Sequence, residues 1–283
     1  MAIAVGLLLA AGLYLFCIAP ALNGRKKCPS WLRGAMFAHR GLYGMEESIP
    51  ENSLAAFSKA LEMGYGIELD VHLTLDGHLV VHHDRSLRRL CGADGNIDEM
   101  SLADLAAFCL QDTEEGIPSL SQVLALIDGK VPLLIEMKYD GGGDHTALPR
   151  ALFGTMEGYA GPWCVESFDP MMLLWFRRHA PRTPRGQLAF DQKREAGKFT
   201  SPLMIISAFL LMNVISRPHF VAYGPGREQN LSCRLVRRLF HPLMGAWTVR
   251  TANEFEKLRD QNDLLIFEAF LPECDPSKRR NEP

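Results

Sequence analysis

The feature that most constrains this chain is the stretch from Gly66 to Asp84, where apolar and polar residues alternate. Asp76-Gly77 near its middle is a strong signal for a tight turn, so the stretch predicts two antiparallel strands joined as a hairpin. With Asp76 and Gly77 as a two-residue loop, one face of the hairpin is apolar and the other carries ionisable groups. A strand that only had to pack would not need this second face.

The polar face of the predicted hairpin collects groups that can perform chemistry. The two-residue loop places Asp70 opposite His83 and Glu68 opposite Arg85, and it turns His82 towards the apolar face. Glu68 and Asp70 lie two positions apart, so their carboxylates point to the same side of one strand. Oxygen ligands in that arrangement suit a divalent cation such as Mg²⁺ or Ca²⁺. The alternative is a solvated face held by cross-strand charge pairs.

Short motifs on both sides of the hairpin decide between these two interpretations. They are AHRG, PENSLAAF, IELDVHLTLDG, VVHHD, IPSL, LIEMK and WTV, in this order, over roughly residues 35 to 270. In these motifs the chain resembles the glycerophosphodiester phosphodiesterases. Each motif is weak alone, whereas the ordered set is specific. The resemblance implies hydrolysis of a glycerophosphodiester to sn-glycerol 3-phosphate and an alcohol, with Mg²⁺ or Ca²⁺ as cofactor.

The resemblance also implies roles for the matching residues: two catalytic imidazoles, three metal ligands, two cations against the substrate phosphate and two pocket aromatics. In that order they are His39 and His83; Glu68, Asp70 and Glu136; Arg40 and Lys138; and Phe168 and Trp247. Glu51 and Asn52 are either a helix cap or a support for the metal ligands. His72 is a candidate supporting group on the polar face, and Glu166 has no assigned role.

Two positions depart from the family pattern. Arg250 follows WTV where the family commonly has Asn, and the last predicted strand ends in Phe267-Glu268-Ala269-Phe270 instead of a Thr-Asp-Pro-like run. Neither change removes a histidine or a predicted metal ligand. We therefore expect them to affect the preference for the leaving group more than the type of reaction.

Nine strands are predicted, of which the third must run antiparallel to the second because a tight turn joins them. They are 35–39, 66–71, 79–83, 132–137, 162–167, 185–189, 219–223, 244–249 and 264–269. The other eight are separated by enough chain for helical crossovers. Eight such units predict a TIM (β/α)8 barrel, whose active site lies at the carboxyl ends of its strands. The hairpin is then an extra strand that stands above the barrel mouth.

The N-terminal stretch from Ala2 to Leu22 has no charged side chain and is long enough to span a bilayer as a helix. We expect a retained anchor, with a cleaved signal peptide as the alternative. Basic residues follow the stretch and none precedes it, which predicts a cytoplasmic catalytic domain. The predicted domains are an anchor at 1–24, a basic linker at 25–33, the barrel at 34–272 and a polar tail at 273–283.

A second apolar segment, 202–215, is predicted as a crossover helix with almost no polar face. It is too short to cross a bilayer, so it is either buried on all sides or rests its outer face on the membrane. The second option would favour a lysophospholipase D, which is the alternative activity. A catalytically silent, membrane-tethered binding domain is the rival from another class.

Composition excludes other functions. The net charge of -3 and the lack of a basic stripe argue against nucleic acid as a partner. Seven scattered cysteines without a CxxC motif indicate buried thiols instead of a disulfide framework.

Overall fold

The computed structural model describes residues 1–44, 49–139, 143–190, 202–224 and 230–273. Within these ranges nine strands form one sheet in the order β1-β9-β8-β7-β6-β5-β4-β2-β3, and β1 also pairs with β2, which closes the sheet into a barrel. The strands are β1 Ala35–Ala38, β2 Gly66–Leu73, β3 Leu79–Val81, β4 Leu133–Met137, β5 Trp163–Ser167, β6 Arg185–Ala189, β7 Phe220–Tyr223, β8 Leu243–Val249 and β9 Leu264–Phe267.

All nine predicted strands are present, and the eight that form the barrel pair in parallel. The strand β3 pairs antiparallel with the far end of β2, beyond the point where β1 stops. The hairpin therefore extends above the barrel mouth, as predicted. The fold is a TIM-like barrel with one additional strand.

The predicted register of this hairpin is wrong by one residue. Val71 pairs with Val81 and Leu73 with Leu79, whereas the two-residue loop would have paired Asp70 with His83. Thr74 explains the difference: its backbone N–H donates to the carbonyl of His78, and its hydroxyl accepts from the His78 N–H. The loop therefore has three residues and ends in a glycine at φ 81°, a common hairpin geometry.

Helices fill the connections between strands. They are α1 Ala2–Ile18, α2 Gly24–Lys27, α3 Leu54–Glu62, α4 Arg88–Cys91, α5 Leu102–Leu105, α6 Leu120–Ile127, α7 Ala147–Met156, α8 Pro170–His179, α9 Pro202–Ala208, α10 Asn213–Ser216, α11 Leu231–Leu235 and α12 Ala252–Leu258. Their starts follow from local chemistry. Ser53 and Ser119 each accept a hydrogen bond from the third residue of the following helix, and Asp169 caps α8 with Pro170 at its first position. A π-helical turn at Val236–Phe240 continues α11.

The main apolar core lies between the barrel wall and the helices, and it includes Phe57, Leu69, Leu133 and Phe176. A second cluster fills the lower interior of the barrel with Phe37, Leu134, Phe220 and other side chains. The buried carboxylates Glu68 and Asp70 lie at the mouth above these apolar layers, and Arg185 is buried at the opposite end.

The predicted transmembrane anchor is not borne out, and the single-pass localisation based on it is wrong. None of the helices in the described ranges combines the length and the hydropathy that a membrane crossing requires. The apolar stretch was counted to Leu22, but α1 ends at Ile18 because Ala19 is extended and precedes a proline. The side chain of Ile18 is fully buried against the barrel, so the last turn of α1 is part of the packed structure.

The segment 202–215 forms two short helices, α9 and the start of α10, instead of one crossover helix. Leu210 between them adopts a positive φ of 57° and is fully buried in the cluster that contains Ile18. Packing in this cluster thus accounts for the apolar side chain of Leu210, whereas Ile205 in the same segment is 41% exposed. The predicted tail beyond Glu273 lies outside the described residues.

Candidate active site

The carboxyl ends of β1, β2 and β4 bring the predicted site residues together. They line a cleft of about 130 Å³ at the barrel mouth. The lining side chains include His39, Arg40, Glu68, His83, Glu136, Lys138, Glu166, Phe168, Trp247 and Arg250. Sequence-distant groups meet here because parallel strands end at the same edge of a closed sheet. Asp70 lies directly below them and is fully buried.

Three buried carboxylates form the floor of the site. Ligand atoms of Glu68, Asp70 and Glu136 lie within 4.8 Å of one another. The sheet register adds Glu166, since Asp70 is level with Glu136 on β4, and Glu136 is level with Glu166 on β5. One oxygen of Glu166 has no hydrogen-bond partner among the described residues, and the residue is 1% exposed. Glu166, unassigned from the sequence, therefore belongs to this acidic group.

Two cations offset part of this negative charge. The Lys138 ammonium lies 2.8 Å from both Asp70 and Glu136, and the Arg40 Nε lies 3.4 Å from Asp70. Burial alone would raise the pKa of Asp70, but Lys138 and the other nearby cations lower it. Burial and then repulsion from Asp70 raise the pKa of Glu68 well above its usual range.

The pKa values of the other two carboxyl groups near the floor are also raised. Burial raises the pKa of Glu136 although Lys138 opposes it, and burial followed by repulsion from Glu136 raises that of Glu166. Among the described residues, these four buried carboxylates share two cations, Lys138 and Arg40. An all-oxygen donor set of this kind fits a hard divalent cation. The residues present are thus chemically suited to the metal predicted from the sequence.

His39 is held by a carboxylate that the sequence prediction missed. Its Nδ1 lies 2.5 Å from Glu268 Oε2, and Glu268 also accepts hydrogen bonds from the Tyr43 hydroxyl at 2.8 Å and the Arg250 Nε at 2.6 Å. Burial alone would raise the pKa of Glu268, but His39 and these donors lower it to about 2. With Nδ1 engaged, Nε2 is the nitrogen left for a substrate in the cleft.

His83 has a matching arrangement on the opposite side of the cleft. Its Nδ1 lies 2.6 Å from Asp84 Oδ1. Burial, reinforced by the nearby cations Lys138 and Arg40 and opposed by Asp70, lowers the pKa of His83 to about 4. Both imidazoles are therefore oriented through Nδ1 by a carboxylate.

The neighbouring histidines play supporting parts. His82 is fully buried and donates from Nδ1 to the Asp84 carbonyl at 2.7 Å, and it does not line the cleft. His72 donates from Nε2 to the His83 carbonyl at 3.1 Å. The hairpin ladder ends at Val81, so the orientation of His82 comes from its hydrogen bond to Asp84 and not from the predicted register.

Glu51 and Asn52 contact residues of the predicted site, and the cap of the following helix is Ser53. The Arg40 guanidinium donates to Glu51 at 2.7 Å, and the Asn52 side chain donates to Asp70 at 2.8 Å. The Arg40 backbone N–H also donates to Glu68 at 2.9 Å. Arg40 and Asn52 adopt positive φ values of 55° and 56°. Non-glycine residues in this region are often held there by a functional site.

Aromatic side chains cover the side of the cleft away from the carboxylates. Phe168 and Trp247, both predicted from the sequence, meet edge-to-face at 5.6 Å, and Phe190 contacts each at 5.7 and 5.9 Å. The Trp247 indole N–H donates to the Ala222 carbonyl at 3.1 Å, which fixes its ring. The mouth is thus polar on one side and aromatic on the other.

Sequence reasoning missed Glu268 and Asp84 as partners of the two histidines, and it missed Tyr43 as a partner of Glu268. In the sequence, Glu268 and Arg250 stood out only because they depart from the family pattern. In the structure their side chains contact each other. Asp84 follows the predicted histidine directly, so its position was an available signal. Tyr43 carried no signal because its partner is 225 positions away in the chain.

Comparisons with known proteins agree with this geometry. The sequence model of the glycerophosphoryl diester phosphodiesterase family matches residues 39–262. A glycerophosphodiester phosphodiesterase from Caldanaerobacter subterraneus subsp. tengcongensis is 39% identical over 167 residues, which cover 56% of this chain and 67% of the relative.

Solved structures show the same fold. A glycerophosphodiester phosphodiesterase from Thermotoga maritima superposes with a TM-score of 0.63 at 25% identity, over 82% of this chain and 93% of that chain. A phosphodiesterase from Oleispira antarctica, in complex with the product sn-glycerol-3-phosphate, gives a TM-score of 0.66 at 22% identity, over 86% of this chain and 94% of that chain.

Proposed function

Because this chain belongs to the glycerophosphoryl diester phosphodiesterase family, we propose that it hydrolyses glycerophosphodiesters to sn-glycerol 3-phosphate and an alcohol. One observation carries the proposal: two imidazoles, each tied through Nδ1 to a carboxylate, line the same cleft as the acidic floor and two cations. Hydrolysis of a phosphodiester requires these groups. A proton must leave the nucleophile, another must reach the leaving oxygen, and the phosphate charge must be balanced.

A divalent cation is part of this proposal. Glu68, Asp70 and Glu136 would hold it, and their mutual repulsion supports the assignment. Mg²⁺ and Ca²⁺ both suit the three carboxylates. When bound, the cation supplies charge that polarises the phosphoryl group.

The substrate phosphate is held by Arg40 and Lys138 in this proposal. Arg40 presents a planar fork that matches two phosphate oxygens, and Glu51 keeps that fork in place. Lys138 adds a compact charge at the boundary between the floor and the cleft. Phe168 and Trp247 would contact the apolar carbons of the substrate from the opposite side.

The two imidazoles divide the proton transfers. The lowered pKa of His83, about 4, keeps its ring neutral at pH 7, so that it can accept a proton from the nucleophile. Glu268 remains ionised beside His39 and holds its ring through Nδ1, which leaves Nε2 towards the cleft. We therefore assign the donation of a proton to the departing alkoxide to His39.

The test is an activity assay of the full chain on glycerophosphocholine, glycerophosphoethanolamine and lysophosphatidylcholine, each with and without EDTA. Release of sn-glycerol 3-phosphate from the first two, abolished by chelation and restored by Mg²⁺ or Ca²⁺, is the expected result. Turnover of lysophosphatidylcholine alone would identify a lysophospholipase D. No turnover of any substrate with either cation would refute the proposal.

A further inference from the structure

Arg89 contacts two carboxylates that support different parts of the site. It lies on α4, a four-residue helix in the connection after β3. Its Nε lies 2.5 Å from Asp84 Oδ2. Its two terminal nitrogens grip both oxygens of Glu51, at 2.7 and 3.1 Å. All three guanidinium nitrogens are therefore engaged.

Each of these carboxylates has a second partner in the cleft. Asp84 uses its other oxygen to hold His83 Nδ1 at 2.6 Å. Glu51 holds the Arg40 guanidinium at 2.7 Å. A continuous path of ionic hydrogen bonds thus runs from His83 through Asp84, Arg89 and Glu51 to Arg40.

We propose that Arg89 is a positioning residue that fixes the base His83 and the phosphate-binding Arg40 relative to each other. This inference rests on the proposed function, because it assigns those two residues to proton transfer and to phosphate. Only a guanidinium fits the position. Its rigid fork serves two carboxylates on different sides at once, whereas a lysine ammonium is a single point charge.

Arg89 itself is 45% exposed, but the burial of its partner Glu51 distinguishes this contact from an ordinary surface ion pair. Arg88, next along the same helix, pairs with Asp94, and both side chains are mostly exposed, at 77% and 86%. Such exposed ion pairs contribute little to the free energy of unfolding. Glu51 is only 6% exposed, and its pKa, which burial alone would raise, is lowered by Arg89 and Arg40. Arg88 therefore provides a matched control on the same four-residue helix.

The first experiment compares Arg89→Ala with Arg88→Ala in the full chain with the divalent cation present. We expect Arg89→Ala to lower kcat/KM by about 10²-fold, with a lower kcat from the released His83 and a higher KM from the released Arg40. Arg88→Ala should stay within about twofold of the parent. Thermal unfolding of both variants checks that the fold is intact.

The second experiment is chemical rescue. Adding guanidinium or methylguanidinium at millimolar concentration should restore part of the kcat of Arg89→Ala, because the small cation can occupy the position between the two carboxylates. Ammonium at the same ionic strength should not, and Arg89→Lys should remain impaired. A purely structural role would give no selective rescue.

The third experiment measures coupling. In the parent, Glu51→Gln should lower kcat as well as raise KM, because it weakens the hold of Arg89 on Asp84. In the Arg89→Ala background the same substitution should change KM only. Calorimetric titration with inorganic phosphate reports on phosphate binding by Arg40 without any turnover. The affinity for phosphate should fall in Arg89→Ala.

The results that overturn the inference are specific. An Arg89→Ala variant that folds and keeps the parent kcat, KM and phosphate affinity would do so, as would equal rescue by ammonium and guanidinium. If the parent itself fails to turn over any glycerophosphodiester, the proposed function fails. Unchanged phosphate affinity in Arg89→Ala would then reject the coupling of Arg89 to Arg40 separately.

Discussion

The two ends of the barrel bury opposite charges and satisfy them in opposite ways. At the mouth, four carboxylates share two cations, and the pKa of Glu68, Glu136 and Glu166 is raised, first by burial. At the opposite end, Arg185 at the first position of β6 is 4% exposed. Burial lowers its pKa to about 10.

The cation at the lower end is satisfied by the backbone. Arg185 donates from Nε to the Ser216 carbonyl at 3.1 Å and from a terminal nitrogen to the Arg217 carbonyl at 2.8 Å. Its backbone N–H donates to Nδ1 of His219. Burial and the positive charge of Arg185 lower the pKa of His219 to about 3, so this ring stays neutral.

This difference distinguishes a site that can take up a ligand from a buried charge that stabilises the fold. Arg185 has its partners in place, as expected for a buried charge that holds two segments together. The carboxylates at the mouth repel one another and are only partly balanced, which is the condition of a site prepared for a ligand. Substitutions at the mouth should therefore cost activity and spare stability, whereas substitutions at the lower end should do the reverse.

The largest effect is expected at the acidic floor. Glu68→Gln, Asp70→Asn and Glu136→Gln should each lower kcat by about 10³-fold. Glu68→Gln should in addition raise the melting temperature of the chelated protein, because it removes the cost of burying a charge and the repulsion from Asp70. Turnover assays and calorimetric unfolding measure the two effects. Parent-like activity of all three variants after exhaustive chelation would contradict the metal assignment.

The histidines should give the next largest effect. His39→Ala and His83→Ala should each lower kcat by roughly 10²–10⁴-fold with little change in melting temperature. His82→Ala should change kcat little and lower the melting temperature, since its ring is buried outside the cleft. An inactive His82→Ala beside an active His83→Ala would show that the wrong imidazole has been assigned.

At the lower end, Arg185→Met should leave kcat unchanged and destabilise the fold. It removes two charged hydrogen bonds to backbone carbonyls, and we expect a loss of about 2 kcal/mol in the free energy of unfolding. Denaturant titration gives the loss, and an assay in native buffer gives the activity. A drop in kcat without a loss of stability would break the contrast between the two ends.

The smallest effect is a pH dependence from His219. Its pKa is lower in the folded protein than in the unfolded chain, so the unfolded chain binds more protons below pH 6.5 and stability falls as pH decreases. Between pH 6.5 and 5.5 this residue should account for about 1 kcal/mol. His219→Gln should flatten the curve by that amount. Identical slopes for variant and parent would mean that the ring is not held neutral.

Much of the fold was predictable because hydrophobic periodicity and turn chemistry are local. All nine strands were found, and the eleven predicted site residues lie at or beside the mouth. The hairpin register was not predictable, because a hydrogen bond of the Thr74 side chain lengthened the loop. Glu268 was missed because its role depends on His39, 229 positions away. The end of α1 was misplaced because hydropathy was counted through a helix boundary.

The docking of α1 matters for anyone who shortens this chain. Arg217 donates to the carbonyls of Phe16 and Ala19, and Asn213 donates to that of Ile18. A cut before residue 29 would remove the acceptors of these donors. A cut after Leu13 would instead remove most of the exposed apolar residues of α1 and keep every one of these contacts. The natural place for a boundary is therefore inside the helix.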